Sequence, residues 1–205
     1  MLNIEELQTT RSDYIKNIAE LHRKAFPTFF LTQMGKGFLY ELYRGYMEDI
    51  NSGIIVAKDD NHLIGFIAYS KDYSNFFKGL IRKRLINFTL YSLVALLRKP
   101  IIIRRLLRAF KKSEDVIKEE LYVELASICV DPNAQCLGVG SKLIDYLKDN
   151  VDFQKYAYIN LETDSNGNDS VNRFYIKNGF KLEKQFITAE GRKMNEYRYA
   201  PERCE

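Results

Sequence analysis

The chain has 205 residues, 46% of them hydrophobic and 28% charged, with a net charge of +4. That balance belongs to a globular domain with one core, and it excludes disordered and collagen-like chains. Cys129, Cys136 and Cys204 are odd in number, no CxxC spacing occurs, and His22 and His62 lie far apart, so neither a disulfide framework nor a metal site is expected.

The opening MLNIEELQTT lacks a basic n-region followed by an apolar run, so the expectation is a cytoplasmic chain without a secretory leader. NIEELQTT reads as a first strand. Ser12 or Asp13 is placed to cap a helix through YIKNIAELHRKAF, which Pro27 ends. GKGFLYELYRGYMED reads as a second helix. GIIVAKD and LIGFIAYSK, joined by DDNH, read as a hairpin rich in β-branched and aromatic residues.

Residues 73–112 then hold eleven Lys and Arg and no Asp or Glu, so the rest of the chain is net acidic. The pattern predicts two helices broken at Pro100. The apolar run LINFTLYSLVALL is too short to span a bilayer, and residues 101–112 are amphipathic. Three roles compete for this insertion, taken as residues 73–118. It is a lid with its cations in solvent, a contact with an anionic membrane surface, or a wall that attracts an anionic acceptor. No nucleic-acid motif accompanies the charge, so nucleic acid is the weakest partner class; a homodimer stays open.

ELYVELASICV reads as a strand buried on both faces, followed by a loop and the helix GSKLIDYLKDN. YAYINLET is a further strand. NDSVNRFYIKNG is a short helix stopped by Gly179, and FKLEKQFIT and NEYRYA close the chain as strands. The order is β-α-α-β-β-insertion-β-α-β-α-β-β: one α/β (α+β) domain over 1–205, a mixed central sheet flanked by helices.

Gln135, Gly138 and Gly140 form Q-x-x-G-x-G before Ser141 at a helix start. A helix N-terminus carries unpaired N–H groups and partial positive charge, so it can hold a phosphate. Leu143 occupies the third glycine place of a dinucleotide fingerprint, and no Walker A loop is present. VDPNAQCLGVGSKLIDYL resembles motif A of the GCN5-related N-acetyltransferases. NDSVNRFYIKNGF resembles motif B of the same family, with Val171 where Ala is usual. The likeness is dense over 124–186.

The resemblance implies transfer of an acetyl group from acetyl-coenzyme A to the amine of a small molecule, an amino sugar or nucleotide-linked amino sugar being one class. It implies backbone contacts to the diphosphate from Cys136, Leu137, Gly138, Val139, Gly140 and Ser141, with Gln135 in the same loop. Contacts to the pantetheine amides are implied from Ile128, Cys129 and Val130, on a strand that parts from its neighbour. Tyr175 falls at the general-acid position, or it is a core aromatic beside Phe174. Glu124, in an apolar strand, is the candidate base, or a carboxylate paired with a nearby cation. Asn168 reads as a helix cap that also touches the cofactor, and Asn172 as a cofactor contact or a solvent-facing residue. Cys129 reads as a small core residue. A nucleophilic Cys136 is the weaker reading, because no His lies near it in sequence. A non-catalytic acyl-coenzyme A-binding module is the alternative function, and a membrane-surface acyltransferase acting through the insertion is another.

Overall fold

In the computed structural model, which describes residues 1–98, 120–134, 137–189 and 191–202, alternating side chains divide the core into two layers. Strand β1 (Leu2–Glu6) pairs antiparallel with β2 (Ser52–Asp59), and β2 with β3 (His62–Ser70). Between β2 and β3, Asp60 and Asn61 take φ values of 44° and 68°. Two left-handed residues are what a tight two-residue hairpin requires. Ile54, Val56, Phe66 and Ala68 point to one layer, while Ile55, Ala57, Ile67 and Tyr69 point to the other. A slip of one residue would exchange them, so burial on both faces fixes the register.

The first layer is covered by α1 (Ser12–Ala25) and α3 (Lys36–Glu48), with a short α2 (Phe30–Gln33) between them. Ile15, Ile18, Ala19, Leu21 and His22 form the buried stripe of α1. Neither Ser12 nor Asp13 caps this helix: Arg11 occupies the cap position without a side-chain bond. Asp13 pairs with Arg11 at 2.9 Å and adds negative charge to the first turn, where the helix dipole favours it. The second layer is covered by α5 (Val139–Asp149) and α6 (Asp169–Lys177).

Strand β4 (Tyr122–Val130) pairs antiparallel with β3 and parallel with β5 (Tyr158–Asp164). β7 (Lys193–Tyr199) lies between β5 and β6 (Lys181–Ile187), so the sheet order is β1-β2-β3-β4-β5-β7-β6. This is the mixed sheet flanked by helices that the sequence predicts, and the element order agrees. The short α2 is the addition. It is held by Thr32 Oγ1 donating to the Phe26 carbonyl at 2.7 Å, a contact no periodicity announces.

Of the predicted insertion, the described part is α4 (Tyr73–Arg98), one helix that packs on α3. Phe76, Leu80, Arg84 and Phe88 recur at four-residue intervals and are all buried. A Cβ on Gly45 would lie 2.2 Å from Leu80 Cδ1, so Leu80 of α4 occupies the space that a side chain on α3 would take there. Arg84 donates to both Glu41 and Glu48. One of the eleven cations is therefore turned inward as a buried clamp. Deleting one side of such a pair costs about 3–5 kcal/mol, because the other charge stays buried. The break at Pro100 and the amphipathic run 101–112 lie outside the described residues. Among the described residues no helix is long and apolar enough to cross a membrane.

His22 joins α1 to α3. Its Nδ1 lies 2.6 Å from the Tyr43 hydroxyl, and its Nε2 is buried with no partner among the described residues. Burial lowers the imidazole pKa from 6.5 to about 4. The folded state holds the neutral ring, so this contribution is whole above pH 6.5 and is lost as pH falls to about 4. The loss amounts to roughly 3 kcal/mol. Urea unfolding at neutral pH and near the lower end of that window checks it. The stability lost on acidification should be smaller in His22→Gln than in the native chain; equal losses would contradict it.

Candidate active site

β4 and β5 pair through Tyr122–Tyr158, Val123–Ile159 and Glu124–Asn160 only, although β4 runs on to Val130 and β5 to Asp164. Beyond those pairs the strands part. The cause lies on the other side of β4. Tyr69 faces Leu125 and Ala68 faces Ser127, so Ala126 is an extra residue in the β3–β4 ladder. Such a bulge bends its strand and increases the local twist. Asp131 N–H donates to the Ile64 carbonyl at 2.8 Å. Alternation along the ladder then turns the backbone of Cys129 and Ser127 toward β3, and that of Ile128 and Val130 into the gap. Unpaired strand edges of this kind accept an extended chain that carries amides.

At the end of the gap, Gly138 has φ 74° and ψ 6° and caps α5. A Cβ there would meet open space, so the residue is needed for its left-handed backbone alone. Gly140 is needed for another reason: a Cβ would lie 3.0 Å from Phe174 Cζ on α6 and 3.7 Å from Val130 Cγ2. The two glycines thus divide their work, one turning the chain and one admitting an aromatic ring. The first helical bond is Lys142 N–H to the Gly138 carbonyl at 3.1 Å. The N–H groups of Val139, Gly140 and Ser141 precede it and have no intrahelical acceptor. Val139 is buried, Ser141 half-buried and Leu137 exposed. Gln135 and Cys136 lie outside the described residues.

Helix α6 brings Tyr175 to the same region. Gly179 N–H donates to Ile176 O and Phe180 N–H to Tyr175 O, a Schellman ending with Gly179 at φ 77°. Tyr175 is buried among Phe174, Phe180 and Tyr197. Its hydroxyl has no hydrogen-bond partner among the described residues, yet it is not one of the polar atoms sealed from solvent. Burial pushes the phenol pKa up, and the neighbouring Cys129 adds to the shift.

Asn168 stands at the cap position of α6, but its side chain does not cap the helix. It donates to Thr163 Oγ1 at 2.8 Å. Asn172 donates to the carbonyls of Asp164 and Asn168, and its Oδ1 accepts from Asn195 Nδ2 and the Tyr197 hydroxyl. That fills its donors and lone pairs. Asn172 therefore ties α6 to β5 and β7. Asn195 and Tyr197 carry no signal in sequence, because only the placement of β7 beside β5 brings them there.

Glu124 is buried on β4, and its Oε2 accepts from Asn160 Nδ2 at 2.7 Å. Asn160, which the sequence reading missed, sits opposite it in the last pair before the strands part. Tyr122 and Tyr158 stack beside them with ring centroids 5.6 Å apart. Burial, then the Glu124 charge, raises the pKa of Tyr122; burial and Tyr46 come first at Tyr73, and burial and Tyr43 at Tyr46, with Glu124 next for both. Tyr122, Tyr73 and Tyr46 thus lie within electrostatic reach of the carboxylate, and their phenols stay neutral. Cys129 is 2% exposed, its thiol pKa is pushed up by burial, and it behaves as a small core residue. Among the described residues no cluster of potential metal ligands occurs.

A strand that parts from its neighbour, a left-handed glycine turn at the end of the gap and a helix N-terminus beside it agree with what comparison finds. The model of the acetyltransferase (GNAT) family matches residues 15–180. The chain belongs to that family. Its fold is similar to a GNAT-family protein from Desulfovibrio desulfuricans, with a TM-score of 0.64 and 15% identity, covering 98% of this chain and 99% of the other. A Drosophila melanogaster polyamine N-acetyltransferase aligns with a TM-score of 0.61 and 9% identity over 98% and 100% of the two chains. A Bacillus anthracis protein solved in complex with acetyl coenzyme A aligns with a TM-score of 0.51 and 20% identity over 78% and 68%. No curated protein matches the chain in sequence.

The separate roles of the two glycines are testable by unfolding. Gly138→Ala should cost about 1–2 kcal/mol from backbone strain alone. Gly140→Val should cost about 1–3 kcal/mol from overpacking. Phe174→Leu should recover part of the second loss and none of the first. Strictly additive effects at Gly140 and Phe174 would contradict this assignment.

Proposed function

We propose that the chain is an N-acetyltransferase that takes its acetyl group from acetyl-coenzyme A and passes it to the primary amine of a small molecule. The observation that carries the reading is the gap between β4 and β5, ending at the N–H groups of the first turn of α5, which have no acceptor among the described residues. Those of Val139, Gly140 and Ser141, with Leu137 and Gly138 in the turn, suit a diphosphate by charge and by donor count. Gln135 and Cys136 belong to the same loop in sequence. The gap-facing backbone of Ile128 and Val130 suits the two amides of a pantetheine arm. Asn168 and Asn172 support the reading indirectly, by holding α6 and Tyr175 against the gap.

When bound, acetyl-coenzyme A supplies an acetyl thioester open to attack by an amine. A free N–H of β4 in the gap is the donor for the carbonyl oxygen as its charge develops. Glu124, steadied by Asn160, takes the proton that the attacking amine must lose. Tyr175 serves as donor to the departing sulfur. Its pKa lies above that of an ordinary thiol at about 8.5, so complete transfer of its proton would run uphill. What it contributes is a hydrogen bond to a sulfur becoming negative, worth about 1.5–3 kcal/mol.

Thiol release measured over a panel of amino sugars, nucleotide-linked amino sugars and polyamines tests the activity. Binding of acetyl-coenzyme A without turnover on the whole panel would favour the non-catalytic module. Tyr175→Phe should lower kcat by about 10–100-fold while leaving acetyl-coenzyme A affinity within about twofold. Unchanged turnover at neutral pH would remove the donor role.

A further inference from the structure

We infer that the outer face of α4 is a docking surface for an anionic phospholipid bilayer, on which the helix lies without crossing. The inference stands apart from the catalytic reading. Helix α4 carries large apolar residues on more than one side, and only one side of it packs inside the protein. Phe76, Leu80, Arg84 and Phe88 face α3, and on the opposite half Leu85, Ile86 and Leu90 are 58%, 75% and 66% exposed. At 3.6 residues per turn these three fall on one arc with Lys78, Arg82 and Lys83, which are also exposed. Large aliphatic side chains grouped this way on a monomer mark an interaction surface.

Charge decides the occupant. The exposed face carries Lys78, Arg82 and Lys83, and α4 holds no Asp or Glu, so the partner that suits it is anionic. A second copy would set the same cations against each other across a two-fold interface. A polyanion in water would engage the cations and leave Leu85, Ile86 and Leu90 wet. A bilayer with anionic headgroups satisfies both. Phosphates meet Lys78, Arg82 and Lys83, whose stems lie along the interface, while the aliphatic groups enter the acyl boundary.

Vesicle flotation of the full chain tests this. At low salt the chain should float with vesicles of phosphatidylglycerol and phosphatidylcholine, and stay behind with phosphatidylcholine alone. The triple variant Leu85→Ser, Ile86→Ser, Leu90→Ser alters exposed side chains only, so its melting curve should match that of the native chain. Its bound fraction should fall about tenfold, and Lys78→Gln with Arg82→Gln and Lys83→Gln should lower binding similarly. Failure to float with the anionic vesicles would overturn the inference. So would undiminished flotation of the serine variant. Light scattering that shows a dimer, abolished by the serine changes in a chain that binds no vesicle, would assign the face to a second copy instead. Tight binding to RNA that both chains share, without flotation, would assign the charge to a polyanion.

Discussion

The structure turns on the place where β4 leaves β5. Three residue pairs hold the strands together, and an extra residue at Ala126 then bends β4 away. Had the pairing continued, the backbone of Ile128 and Val130 would be spent on β5 and the sheet would be closed. Because it stops, polar backbone groups are left at the edge of a buried sheet, an arrangement that is costly unless a partner satisfies them. The helix α5 that follows opens at the end of the same gap, turned there by the left-handed Gly138. One bulge and one glycine thus set an unpaired strand edge and a helix N-terminus side by side, and the rest of the molecule keeps them in place.

Two scaffolds do that. On one face α1, α3 and α4 are packed through aliphatic and aromatic side chains, with Arg84 clamped between Glu41 and Glu48. On the other, Asn172 uses its whole hydrogen-bonding capacity to bind α6 to β5 and β7. The second device bears on the proposed chemistry, since it fixes the helix on which Tyr175 stands. A side chain that looks like a ligand contact in sequence is here a fastening for the helix that carries Tyr175.

Much of this was legible in the sequence because it is local. The alternation in GIIVAKD, the stripe in YIKNIAELHRKAF, the stop at Gly179 and the glycine turn before SKLIDYL each depend on residues a few positions apart. What was not legible depends on distant pairing. The bulge at Ala126 exists only against Tyr69 and Ala68, the insertion of β7 between β5 and β6 only once the sheet closes, and the partnership of Glu124 with Asn160 only across two strands. Arg84 is the clearest case. Its neighbours Lys83 and Arg82 are exposed; Arg84 shares the four-residue spacing of Phe76, Leu80 and Phe88, but the two carboxylates on α3 that let a charge lie on that buried stripe are far away in sequence.

The most direct test is a crystal structure of the chain with coenzyme A. The diphosphate oxygens should lie within hydrogen-bond distance of the N–H groups of Val139, Gly140 and Ser141, the arm should run along Ile128 and Val130, and the sulfur should face the Tyr175 hydroxyl. A nucleotide held elsewhere, or β4 and β5 zipped together beyond Glu124 and Asn160, would contradict the reading.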